Sequence, residues 1–331
     1  MPRILLSSFP SPRFRRADFL SDRYSITRVS RSGIGFQLIE AFDVESCRLK
    51  MVKVLSRKLL EDGRIISSLQ WLLSRKTADG RHSVLCNHFS TSSHWFFVFD
   101  FPRFTLRDVL KRQDLWPLER RQIRDISFQI VQAVQSLHKT GILHSDITPD
   151  SIEILSMDTV VLNMCDDEGA FYDKSVLRST KIRLVFFGGV GTGGDPEIGT
   201  DQYRAPEMVF GCVIWELFIG STLFIPCKKG PLYIQEKVHQ FVARLGEFPD
   251  DMVRRIRRIR EDIFCHSEPT LVGEGDLSSD VRDFVHNAVI ISDIITDEDV
   301  LEVVENMTKL SPKKRMALSD ILECPFFGIS G

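Results

Sequence analysis

His144-Ser145-Asp146-Ile147-Thr148-Pro149-Asp150-Ser151 is the stretch on which the reading of this chain turns. An acid two residues after a histidine can hydrogen-bond its own loop or act on a substrate. Just upstream, Leu118 to His138 places Ile123, Ile126, Ile130, Val131, Val134 and Leu137 at helical spacing. Farther back, from Arg23 to about Asp100, the pattern is short β-like runs such as Gln37-Leu38-Ile39 and Leu49-Lys50-Met51-Val52-Lys53-Val54-Leu55. One helical stretch, Leu59 to Leu73, interrupts them. Strands followed by helices predict an α+β chain, with a small β-rich lobe and then a larger helical lobe.

The totals set bounds on what such a chain does. Its 331 residues are 43% apolar and 27% charged, ordinary for a globular protein with one large core or two modest ones. A net charge of −2 gives no global field toward nucleic acid or membrane. Seven cysteines occur singly, with no C-x-x-C pair, which predicts reduced thiols in the cytoplasm or nucleus. The N-terminal run Ile4-Leu5-Leu6 is too short for a signal-peptide core, and Cys212 to Cys227 is too short and too charged, with Glu216, to span a bilayer. Cys212 to Cys227 reads instead as a buried helix. Residues 1–22, with Pro2, Pro10, Pro12, Arg13, Arg15 and Arg16, read as a flexible arm. The run Arg254 to Arg260 reads either as a solvated helix face or as a contact for phosphates and acidic partners, with Met252, Ile256 and Ile259 on the opposite side.

The motifs fall in an order that resembles the protein kinase superfamily, over Arg23 to Phe327. Arg23-Tyr24 opens the match, Lys53 follows a β-like run, and Leu137-His138 closes a helix before the catalytic loop. Gln202-Tyr203-Arg204-Ala205-Pro206-Glu207, Leu310-Ser311-Pro312-Lys313-Lys314-Arg315 and Cys324-Pro325-Phe326-Phe327 follow in register. Lys174 to Thr180 and Leu245-Gly246-Glu247-Phe248-Pro249 resemble the LAMMER (CDC-like) dual-specificity kinases and their relatives, the SR-protein kinases. The LAMMER signature itself is absent: Glu236 to Gly246 reads E-K-V-H-Q-F-V-A-R-L-G. The resemblance implies a two-lobed fold with residues 23–102 in the β-rich lobe and 103–331 in the helical one. It also implies a salt bridge between Glu207 and Arg315.

At the positions that the resemblance assigns to chemistry, residues are missing. Asp146 holds the place of the base that takes the substrate proton, and Lys53 that of the lysine on the phosphates. Thr148 replaces the catalytic-loop lysine. Ser151 replaces the asparagine that holds magnesium, and Phe186, in Phe186-Phe187-Gly188, replaces the aspartate that holds it too. A phenyl ring offers no oxygen to a hard cation, so magnesium is not expected. Its other reading is core packing. The nucleotide-facing positions would be Gly33, Gly35, Leu38, Met51, Lys53, Asp100 and Pro102. The glycine-rich loop has Arg31 at its first glycine, so Arg31-Ser32-Gly33-Ile34-Gly35-Phe36 also reads as a plain hairpin. Met51 intrudes on the adenine slot, and Pro102 has no N–H to give. Ser68 stands where spacing calls for the glutamate partner of Lys53, leaving that lysine as an unpaired surface residue or a vestigial nucleotide contact. The family also carries further residues between Glu207 and Gly211-Cys212, including an aspartate that props the catalytic loop.

Weak or absent ATP binding is therefore expected, and a pseudokinase with a binding or regulatory role. Its partner would be a protein, such as a related kinase or an Arg-Ser-rich protein, with no direct nucleic-acid site and no membrane. The competing expectation is an active ATP-dependent Ser/Thr or dual-specificity kinase that uses Asp146 and Lys53.

Overall fold

The computed structural model describes residues 13–33, 36–57, 80–83, 85–139, 143–144, 147–166, 168–185, 190–191, 206–228, 230–258, 260–265 and 270–328. The chain forms two compact units: Met1–Val109 with Gln132–Asp158 and Arg178–Ile198, and Leu110–Val131 with Thr159–Leu177 and Gly199–Gly331. These groupings differ from the single sequence boundary at residues 102 and 103, because the first unit also takes in the catalytic-loop stretch.

The first unit is built on a six-stranded sheet: β1 (Phe19–Ser21), β2 (Tyr24–Gly33), β3 (Phe36–Asp43), β4 (Arg48–Ser56), β5 (Leu85–Ser90) and β6 (His94–Asp100), in the order β1-β2-β3-β4-β6-β5. Every neighbour is antiparallel. These runs are rich in Val, Ile and Phe, which suit a half-buried pleated surface. Alternation sends Ile39, Ala41, Val52, Val54, Phe96 and Val98 into one core with Leu20, Tyr24 and Ile26. The opposite face carries Leu38, Met51, Lys53, Phe97 and Phe99, all buried.

Of the expected arm, residues 1–12 lie outside the described residues. From residue 13 onward it is docked: Phe14 packs on the sheet core and meets Phe96 edge-on, its N–H donates to Gln37 Oε1 at 3.0 Å, and β1 pairs with β2. Phe14 and Leu20 supply the apolar handles that hold it there. Next to it, the Arg23 side chain donates to both carboxylate oxygens of Asp43 at 2.7 and 2.8 Å, which holds the Asp43 carboxyl well below the usual aspartate range.

Four short strands complete the first unit: β7 (Leu143–His144), β8 (Ile152–Ile154), β11 (Ile182–Leu184) and β12 (Val190–Gly191), paired as β7–β12 and β8–β11. Helix α1 (Leu106–Leu110) follows the large sheet, and α2 (Arg120–His138) supplies residues to both units. Its Ile123, Ile126, Ile130, Val131, Val134 and Leu137 are buried, as their spacing predicts. The expected helix over Leu59–Leu73, and Ser68 with it, lies outside the described residues.

The second unit holds a hairpin, β9 (Thr159–Cys165) and β10 (Phe171–Leu177), and five helices among the described residues: α3 (Pro206–Ile219), α4 (Tyr233–Leu245), α5 (Asp250–Arg257), α6 (Ser279–Asn287) and α7 (Glu298–Thr308). Helix α3 is apolar almost all round and correspondingly buried. It runs unbroken from Pro206 through Gly211-Cys212 to Ile219. A Cβ on Gly211 would lie 2.6 Å from Thr308 Cγ2 and 3.0 Å from Met307 Cβ, so α3 and α7 approach through a glycine. The Asp297 side chain caps α7 by accepting from Val300 N–H at 3.2 Å and pairs with Arg120 at 2.6 Å. Met252, Val253 and Ile256 of α5 pack with Val238, Phe248 and Phe264, while Arg254, Arg255 and Arg258 are exposed and Arg257 donates to Cys265 O. Among the described residues no helix is long and apolar enough to cross a membrane.

Candidate nucleotide and metal site

All the described candidate site residues belong to the first unit. Strand β3 carries Leu38 and β4 carries Lys53 directly opposite it; Lys53 faces Phe97 of β6 on its other side. One step along, Met51 lies between Glu40 and Phe99. Because strand side chains alternate, Leu38, Met51 and Lys53 share one face. Lys53 is only 3% exposed and has an interaction partner, which corrects the expectation of an unpaired surface lysine. Met51 is buried too.

Gly33 ends β2 and pairs with Phe36 at the start of β3, antiparallel. Gly35 lies outside the described residues. Arg31 is itself a strand residue, opposite Leu38.

At the far end of the sheet Asp100 closes β6. Its carboxylate accepts from Lys50 Nζ at 2.7 Å, and Lys50 also lies 3.8 Å from Cys86 Sγ. Burial works to raise the Asp100 carboxyl, but the Lys50 hydrogen bond and charge outweigh it and hold the group below the ordinary aspartate value. Burial likewise pushes the Lys50 ammonium down, and the Asp100 hydrogen bond more than restores it. The sequence reading missed this pairing; opposite charges at register positions Lys50 and Asp100 were its signal. Beyond Asp100, Pro102 is buried and supplies no donor. The next backbone N–H, of Arg103, is already taken by Glu153 Oε1 at 3.2 Å, and Glu153 is paired with Arg183 at 2.7 Å.

The catalytic-loop stretch folds back as the motif requires. Buried His144 contacts Val185 O through Nε2 at 3.2 Å, Val185 N–H donates to Ser151 O at 2.9 Å, and Ile152 pairs with Leu184. Positions 151 and 185 are thus side by side, with residue 186 next along the chain. Phe186 itself lies outside the described residues, as does Asp146. Ser151 ends a one-turn 3-10 helix, Pro149–Ser151. Its hydroxyl accepts from Thr148 N–H at 2.8 Å and donates to Thr148 O at 3.0 Å, and it is buried.

A serine hydroxyl has one proton and two lone pairs. The turn spends the proton and one lone pair, so little of Ser151 is left for a hard cation that gathers several oxygen ligands. Phe186 brings no oxygen at all. The residues present do not fit magnesium at the two positions where the fold would hold it. Among the described residues no cluster of His, Cys, Asp and Glu offers another metal site.

In the second unit the expected Glu207–Arg315 bridge is replaced. Among the described residues' ion pairs there is none between these two. Arg315 donates instead to Lys309 O at 2.7 Å and Leu310 O at 3.2 Å. Burial pushes its guanidinium down, while the charge of Glu207 acts on it in the opposite sense.

The model of the protein kinase domain family matches residues 33–327. The chain belongs to the protein kinase family. This kinase chain is similar to the dual specificity protein kinase CLK2 of Mus musculus, 25% identical over 340 residues that cover 94% of this chain and 65% of the relative. It is also similar to the serine/threonine-protein kinase AFC1 of Arabidopsis thaliana, 24% identical and covering 94% of this chain and 72% of the relative. The chain thus spans about two-thirds of the length of the curated relatives it matches. These relatives are of the CDC-like type that the motif order resembles. Among solved structures, the kinase domain of PF14_0431 superposes with a TM-score of 0.70 over 96% of this kinase chain and 98% of that one, at 19% identity. That likeness shows the two-lobed kinase fold.

Proposed function

We propose that this protein kinase domain is a pseudokinase with a binding or regulatory role toward a protein, such as a related kinase or an Arg-Ser-rich protein. Ser151 carries the reading: its hydroxyl is engaged with Thr148 on both sides, at a position where the fold needs a metal ligand. Phe186 at the second such position supports it, as do buried Met51 and Pro102 along the adenine side. Metal-free phosphoryl transfer would leave developing charge uncompensated, when electrostatic stabilisation supplies most of the rate. We place the lobe boundary at about Pro102, since the large sheet ends at Asp100 and the next element is helix α1. Seven cysteines without disulfides support a reducing compartment, cytoplasm or nucleus.

The reading from another class is an active kinase, favoured by one observation: Lys53 keeps its place, buried, on β4. Thermal unfolding with ATP, with and without magnesium, separates the two. A ligand present at a hundredfold its Kd adds about 2.7 kcal/mol, a rise of about 5 °C for a chain of this size. The pseudokinase reading expects a small or absent rise, unchanged by magnesium. A rise of that size that requires magnesium overturns it.

A further inference from the structure

The hairpin β9–β10 is anchored at one end and bare at the other. At its base Val176 and Leu177 are buried, Lys174 pairs with Glu119 at 2.7 Å, and Gln122 Nε2 donates to Leu177 O at 2.8 Å. Toward its tip the large apolar side chains face solvent: Val161 is 62% exposed, Leu162 42%, Phe171 74% and Tyr172 44%. These residues recur on both faces of the ribbon, because Phe171 and Val161 lie on the face of Cys165 and Asp173, and Tyr172 and Leu162 on the other. The face of Leu162 and Tyr172 is apolar apart from Lys174, with Val160, Met164 and Val176, while the face of Val161 and Phe171 also carries Thr159, Asn163, Asp173 and Ser175.

Its charge is one-sided as well. Between residues 159 and 173 stand Asp166, Asp167, Glu168 and Asp173, and no lysine or arginine. Among the described residues no cation pairs with Asp166, Glu168 or Asp173. Among the described residues this sheet has two strands, and no other strand pairs with the outer side of β9. A free edge of this kind accepts an extended segment by strand addition unless it is blunted, and lysines, prolines and bulges are the usual means. Strand β9, Thr-Val-Val-Leu-Asn-Met-Cys, contains no lysine and no proline, and its pairing with β10 runs through seven residues without a bulge.

We propose that β9 is a docking edge for an extended, basic protein segment with apolar residues at alternate positions. Because alternate residues of an added strand share one face, the apolar residues of such a segment lie on the face of Leu162 and Tyr172, and its arginines or lysines on the face of Asp173, toward the carboxylates of Asp166 and Glu168 in the turn. This site is independent of the nucleotide positions, so the outcome of any phosphate-transfer assay leaves it unchanged.

The probe is a short labelled peptide of alternating arginine and valine, followed by fluorescence anisotropy with the full chain. A glutamate–valine peptide and an arginine–valine peptide N-methylated along its pairing edge serve as controls. The arginine–valine peptide is expected to bind, and to bind less tightly as salt rises; neither control binds. The triple variant Asp166→Asn, Glu168→Gln, Asp173→Asn should weaken binding by about tenfold, from several exposed charge contacts of modest size each. Tyr172→Ser should weaken it while leaving the melting temperature unchanged, since that side chain is 44% exposed. Absent binding overturns the proposal, as does binding that neither variant weakens. A concentration-dependent dimer in sedimentation that Tyr172→Ser dissolves also overturns it, by making a second copy the occupant.

Discussion

Ser151 shows how one side chain can keep a loop's shape while giving up its chemistry. The hydroxyl holds the Thr148–Ser151 turn closed, and the turn in turn sets Ser151 O against Val185 N–H. Ser151→Ala leaves the buried Thr148 N–H without that acceptor, and an unmade buried hydrogen bond costs about 1–3 kcal/mol. Denaturant unfolding should report a loss of that order; unchanged stability would contradict a structural role for the hydroxyl. Ser151→Asn alone should not produce a kinase, because the parts of a catalytic unit are strongly non-additive and Phe186 still offers no oxygen. What Ser151, Phe186, Met51 and Pro102 can donate or accept was legible in sequence, since it follows from residue type. The state of Lys53 was not. Spacing suggested a lysine without its glutamate, but burial depends on the sheet face, which is set by register with Leu38 and Phe97.

At the scale of elements, the second unit shows how a glycine sets the approach of two helices. Helix α3 runs straight from Pro206 into the buried segment around Trp215, and Gly211 marks its closest approach to α7. In an open helix Gly→Ala stabilises by about 1 kcal/mol. Here the added methyl meets Thr308, which is fully enclosed and bonded through Oγ1 to Val304 O at 2.7 Å. Gly211→Ala is therefore expected to destabilise by about 1–3 kcal/mol, as overpacking does. A stabilised variant in thermal or denaturant unfolding would show that the helices do not meet there. The buried helix over Cys212 onward was legible as an apolar run. The Glu207–Arg315 pairing read from the motifs was not the outcome, because Arg315 satisfies its donors on the carbonyls of Lys309 and Leu310. The hairpin was half legible. Lys174 to Thr180 marked an insertion, but β9 was overlooked, although Asp166-Asp167-Glu168-Gly169 between two β-branched or aromatic runs is a turn signal.

For the whole molecule, strands before helices and motifs in register made the fold class plain from the sequence. The two-unit grouping was not plain, because compactness follows long-range contacts that a linear boundary at residue 102 does not see. The molecule keeps what a kinase needs to fold: the antiparallel sheet, the His144–Val185 contact, the β8–β11 pair and the apolar helix α3. As we propose, Ser151 and Phe186 do not supply the oxygen ligands with which a kinase neutralises a transferring phosphate. Phosphate transfer itself decides the matter. Purified chain is incubated with labelled ATP, magnesium and an Arg-Ser-rich peptide, beside Asp146→Asn. Label on the peptide no greater than with Asp146→Asn is the predicted result; transfer that Asp146→Asn abolishes would contradict it and make the chain an active kinase.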